Sequence, residues 1–110
     1  KAMYTLIHPY LERFPKSERF TLGTKIEETI LEAIKLLIFQ NYQQTDEERK
    51  KLILEFLANF YLLEVLLQQS ATFKYLSYEG FNRSMSLLRE INSFALARYK
   101  NLGGKNENIW

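Results

Sequence analysis

Apolar side chains recur at helical spacing in four successive segments of this chain, separated by short polar runs. In the first, over 1–14, Tyr4, Ile7, Leu11 and Phe14 share one helix face. Pro9 falls inside that pattern and predicts a kink or an early turn. Pro15 closes the segment, because a residue before proline is pushed out of the α region. The second segment runs from about Ser17 to Tyr42. Ser17 is its candidate N-cap, with Glu18 near the positive end of the helix dipole. Its stripe is Phe20, Ile26 or Ile30, Ile34, Leu37 and Ile38. Gly23 lies within it, at a cost of roughly 1 kcal/mol relative to alanine. Close approach of another backbone is the expected reason for that glycine.

The third segment opens on Thr45-Asp46-Glu47-Glu48, with a candidate cap at Thr45 and a glutamate three positions later. It continues to about Ala71 and carries two apolar faces. One holds Ile53, Phe56, Phe60, Leu63 and Leu67; the other holds Leu54, Leu57, Tyr61 and Val65. A helix apolar nearly all round is buried on more than one side, so the second face is the candidate oligomer interface. The fourth segment begins at Ser77, with Leu76 placed to staple against Phe81. Its face is Phe81, Met85, Leu88, Ile91 or Asn92, and Ala95, and it ends near Lys100 before Gly103-Gly104. Short links between long helices favour antiparallel neighbours. The prediction is all-α: an antiparallel up-down-up-down four-helix bundle over 1–104, with 105–110 as a flexible C-terminal tail.

At 110 residues, 46% of them hydrophobic, the chain is one domain with enough apolar surface for a core. It has no cysteine, so neither a disulfide framework nor a thiolate metal site is open to it, in keeping with a cytoplasmic protein. The longest apolar run, 52–67, contains Glu55, Asn59 and Glu64. It is read as short of the roughly 20 clean residues of a membrane span, and no membrane partner is expected. The net charge of +2 permits an acidic partner without demanding one.

Enzyme chemistry finds little support. His8 is the only histidine, and no Glu-x-x-His pair of the bundle di-iron kind accompanies it. Glu28 and Glu32 are one turn apart but have Lys25 and Lys35 nearby, as on a solvated face. Gly103-Gly104 lacks the lysine and following helix of a phosphate-binding loop. No catalytic residue, metal or cofactor is assigned. The basic residues are the remaining lead. Arg13, Lys16, Arg19 and Lys25 gather at the first helical junction, Arg49, Lys50 and Lys51 start the third helix, and Arg83, Arg89, Arg98 and Lys100 run down the fourth. Aromatic residues, among them Tyr10, Phe14, Phe20, Phe73, Tyr75 and Tyr78, offer stacking platforms if they share a surface with those cations.

The run Phe14-Pro15-Lys16-Ser17-Glu18-Arg19-Phe20-Thr21-Leu22-Gly23-Thr24-Lys25-Ile26 resembles the start of the second helix in a bacterial four-helix-bundle family. That family includes the accessory variability determinant of diversity-generating retroelements and the proteins encoded in intervening sequences of 23S ribosomal RNA genes. Leu31 to Ile38, Tyr75-Leu76-Ser77-Tyr78-Glu79 and Leu87-Leu88-Arg89-Glu90-Ile91 extend the resemblance to about 4–100. It implies a four-helix bundle assembled as a homopentamer that partners a reverse transcriptase and binds template RNA, possibly also DNA, in mutagenic retrohoming. It also implies that Arg13, Lys16, Arg19, Lys25, Arg83, Arg89 and Arg98 are the residues to meet nucleic acid or partner. The alternative is a scaffold of the intervening-sequence type.

Overall fold

Two side-chain caps fix where the long helices begin. Thr45 accepts a hydrogen bond from the Glu48 amide at 3.2 Å and donates its hydroxyl to the Glu48 carboxylate at 2.9 Å. Ser77 accepts from the Gly80 amide at 3.0 Å. A computed structural model of the chain describes residues 2–103. Among them are four helices and no strand, so the chain is an all-α four-helix bundle. Helix α1 is Ala2–Leu11. Helix α2 covers 16–40 without a break: an α-helical turn Lys16–Glu18, a π-helical turn Arg19–Gly23 and an α-helix Thr24–Gln40. Helix α3 is Asp46–Thr72 and α4 is Tyr78–Asn101. The expected tail at 105–110, and Gly104 before it, lie outside the described residues.

The start of α2 departs from expectation. Pro15, extended at φ −52° and ψ 145°, occupies the N-cap position, and no side chain caps the helix there. Ser17 is already inside the first turn. The π turn that follows closes wider loops than an α turn and shifts the phase of every later residue. A uniform helical period carried through it therefore misplaces Phe20, while Ile38 turns outward within the regular helix beyond. Phe20 is 72% exposed and Ile38 is exposed, while Ile26, Ile30, Ala33 and Leu36 enter the core. Gly23 is also corrected. A methyl at its Cα would lie 3.5 Å from the Glu18 carbonyl oxygen and 3.9 Å from Phe14, which is ordinary contact. Its backbone is right-handed helical, at φ −61° and ψ −45°, so nothing there requires a glycine.

Helix α3 packs on α2 along one flank and on α4 along the other, and α1 lies against α4 and α2. Met3, Ile7, Leu11 and Phe14 point from α1 and its exit into a core shared with Ile26, Ile30, Ile53, Phe56, Leu57, Leu63, Leu67 and Leu88. The Phe56 and Phe60 rings lie 4.4 Å apart within it. Each aliphatic side chain fully removed from water stabilises the bundle by about 1.5–3 kcal/mol. Pro9 is accommodated inside α1 on its exposed side.

Helix α1, at 10 residues, is only about 15 Å long, whereas the 27 residues of α3 span about 40 Å. Tyr4 and His8 meet Glu27, and Leu6 lies with Leu87 and Glu90. The later turns of α2 and α4 run on without α1 beside them, and Leu31, Ile38 and Phe94 are exposed there. By length and mean hydropathy (1.3 over its most apolar window) α3 is long and apolar enough to cross a membrane, a level that the packed helix of a bundle also reaches. Its apolar content has two destinations in the fold, the bundle core and an exposed stripe.

Candidate nucleic-acid and partner interface

The end of the bundle where α1 and α3 finish and α2 and α4 begin is held by aromatic contacts. Phe14 packs tilted against Tyr75 at 5.8 Å, and Tyr75 tilted against Phe73 at 5.8 Å. Gly80, in the first turn of α4, supplies the second contact. A methyl there would come within 2.8 Å of the Tyr10 ring and 3.1 Å of Leu76, so Tyr10 lies directly on the α4 backbone. This is the close approach that the sequence reading assigned to Gly23.

Tyr10 in turn organises two cations. The Arg13 guanidinium lies 5.7 Å from the centre of the Tyr10 ring. Arg83 donates to the Tyr10 hydroxyl at 3.4 Å, and is 3.7 Å from the Glu79 carboxylate. Residues 73 positions apart are thus joined through one phenol. Around them opens a cleft of about 890 Å³ between α1 and α4, lined by Leu6, Pro9, Tyr10, Arg13, Glu79 and Arg83 among others. Lys16 and Arg19 are exposed on the neighbouring corner formed by Pro15 and the π turn. Lys74, which the sequence reading did not single out, is exposed in the α3–α4 link with a left-handed φ of 64°. Phe20, Phe73 and Tyr78 are exposed among these cations. This end therefore mixes Arg13, Lys16, Arg19, Lys74 and Arg83 with solvent-facing rings, against Glu12, Glu18 and Glu79.

The other expected cations do not join this surface. Lys25 is exposed on α2, beyond the π turn. Arg98 lies about 22 Å further along α4 than Arg83, where it faces the negative end of that helix. Arg89 projects from the opposite side of α4 to Arg98, beside Tyr61 and Glu64 of α3. Two of the three cations at the start of α3 are committed to its acidic first turn. Arg49 binds Asp46 at 2.7 Å and the Gln43 carbonyl at 2.8 Å. Lys50 binds Glu47 at 2.6 Å, and that hydrogen bond raises the pKa of its ammonium.

Of the candidate interface residues on α3, Leu54, Tyr61 and Val65 are exposed along one stripe, joined by Leu62. Leu57 is corrected: it is 0% exposed and belongs to the core. Leu57 lies about 60° round the helix from Leu54, on the edge of the exposed stripe that borders Ile53 and Phe60 of the core.

His8 is half-exposed and joins α1 to α2. Its ring is 2.9 Å from Glu12 and 3.3 Å from Glu27, and it stacks on Tyr4 at 5.6 Å. Tyr4 donates to Glu27 at 3.1 Å, which raises the pKa of its phenol. The cluster ties α1 to α2. Among the described residues no group of three His, Cys, Asp or Glu side chains is arranged to hold a metal ion.

A family model described as bAvd-like matches residues 1–102. No curated protein and no solved structure matches the chain.

Proposed function

The chain belongs to the bAvd-like family, and from that premise we propose that it is a non-enzymatic accessory protein of a diversity-generating retroelement. In this reading it works as a homo-oligomer, a pentamer by family resemblance. It binds the reverse transcriptase and the template RNA in the cytoplasm, while the transcriptase carries out the chemistry of mutagenic copying. The observation that carries the reading is the bundle end where Arg13, Lys16, Arg19, Lys74 and Arg83 stand among exposed Phe20, Phe73 and Tyr78. Cations fixed on rigid helix ends neutralise phosphates, and exposed rings stack on unpaired bases. The apolar stripe of Leu54, Tyr61, Leu62 and Val65 supports self-association. Repetition of the cationic end around an oligomer multiplies a charge that is modest in one chain.

The test is reconstitution. The purified chain is mixed with the reverse transcriptase and the template RNA of its own element, and the mass of the assembly is read by light scattering. The reading requires one particle containing all three at low salt. Separate elution of the chain from both overturns it.

A further inference from the structure

A cleft of about 890 Å³ lies between α1 and α4. We propose that it is a pocket for one unpaired nucleotide, gripped by its phosphate between Arg13 and Arg83 with its base against Leu6 and Pro9. The proposal rests on the RNA-binding reading above and adds to it a place, a strand preference and the groups that confer it.

Three features argue for a phosphate. Two guanidiniums from distant parts of the chain converge on a single tyrosine, one over its ring and one on its hydroxyl. Neither closes a tight ion pair: Arg83 holds Glu79 only at 3.7 Å, and Arg13 pairs with no carboxylate among the described residues. Their planar forks match phosphate oxygens and are spared the search for position, because Tyr10 is itself seated on the Gly80 backbone. The rest of the lining argues for a nucleotide. Leu6, Pro9 and Ala2 give the cleft an apolar side next to its cationic one. Its volume of about 890 Å³ falls within the roughly 300–1,000 Å³ of small-ligand pockets. A base lying on that apolar side must be free of its stack, which excludes a nucleotide inside a duplex.

Glu79 gives the proposal a second sign. Its carboxylate borders the cleft, so it repels a bound phosphate and competes for Arg83. Loss of that charge therefore tightens binding, whereas loss of either arginine weakens it.

The experiment measures fluorescence anisotropy of the full chain with a labelled short single-stranded RNA and with its duplex. Direct titration of the chain into a fluorescently labelled nucleoside 5′-monophosphate, without RNA, forms a separate arm. The wild type is expected to prefer the single strand. Arg13→Ala and Arg83→Ala should each weaken it about tenfold or more, as expected for a charge-assisted contact. Loss of both together should lower the salt slope by roughly 0.7, the share of one phosphate. Glu79→Gln should tighten binding, and Lys25→Ala should leave the strand preference intact. RNA binding that is indifferent to Arg13, Arg83 and Glu79, or equal for both strand forms, overturns the pocket and leaves the accessory reading standing. Monophosphates bound without RNA binding would uphold the pocket and overturn the accessory reading. Binding of neither overturns both. Tyr10→Phe keeps the ring and removes the hydroxyl, so it separates placement of Arg83 from folding of the cleft.

Discussion

Two glycines inside helices of this bundle should respond to the same substitution with opposite signs. Gly80→Ala places a methyl 2.8 Å from two atoms of the Tyr10 ring and 3.1 Å from Leu76. Leu76 is buried and cannot retreat freely, so Tyr10 must lift. Overpacking of that kind costs about 1–3 kcal/mol. Movement of the ring also gives up the Arg13 contact, worth about 0.5–1 kcal/mol at an exposed site. Against this stands the gain from removing a helical glycine, at most about 1 kcal/mol. The net expectation is a loss of about 1–2 kcal/mol from those terms. Gly23→Ala has only the gain, because its new methyl meets nothing closer than 3.5 Å and its φ of −61° suits alanine. It should stabilise by about 0.4–1 kcal/mol. Urea unfolding followed by far-UV circular dichroism reads both, as midpoint shifts at constant slope. A Gly80→Ala midpoint at or above wild type would refute the account of how α1 is seated on α4. A clear loss in Gly23→Ala would refute the claim that its neighbourhood is ordinary.

Leu54→Glu should dissociate the assembly in light scattering while the helical signal persists. Leu57→Glu, three residues on, should unfold the chain because it charges the core; assembly retained in Leu54→Glu would remove the stripe from the interface. Thr45→Ala should cost about 1 kcal/mol in the same urea assay, the usual value of a lost N-cap. Tyr4 should give the fold an alkaline dependence. Its phenol is held protonated by Glu27, so its contribution is complete below the ordinary tyrosine value of 10.0 and disappears as pH rises through the raised one. A melting-temperature series above neutrality should therefore fall more steeply for wild type than for Tyr4→Phe, and parallel curves would contradict this.

The sequence made the helices and two of their caps legible because those signals are local. Thr45 with Glu48, and Ser77 with the following turn, carry their partners within three residues. The misplaced stripe of α2 has a definite origin. Nothing in Arg19-Phe20-Thr21-Leu22-Gly23 marks a π turn, and a constant period carried through it assigns Phe20 to a core it does not reach; Ile38, in the regular helix beyond, sits about 80° round from Ile30. Leu57 was misassigned for a related reason, since two apolar faces on one helix do not reveal which of them its neighbours cover. At the candidate site the cations were visible as residues but not as a constellation. That Arg13 and Arg83 share Tyr10, while Arg89 and Arg98 point elsewhere, follows from how α1 lies across α4.

The central claim is that this bundle is an RNA-binding accessory protein, and RNA affinity of the purified full chain as a function of salt tests it most directly. The account predicts binding to structured RNA at about 50 mM salt that falls steeply as salt rises, with a log–log slope of roughly −0.7 to −0.9 for each phosphate neutralised. No binding at low salt, or binding that salt does not weaken, would contradict it.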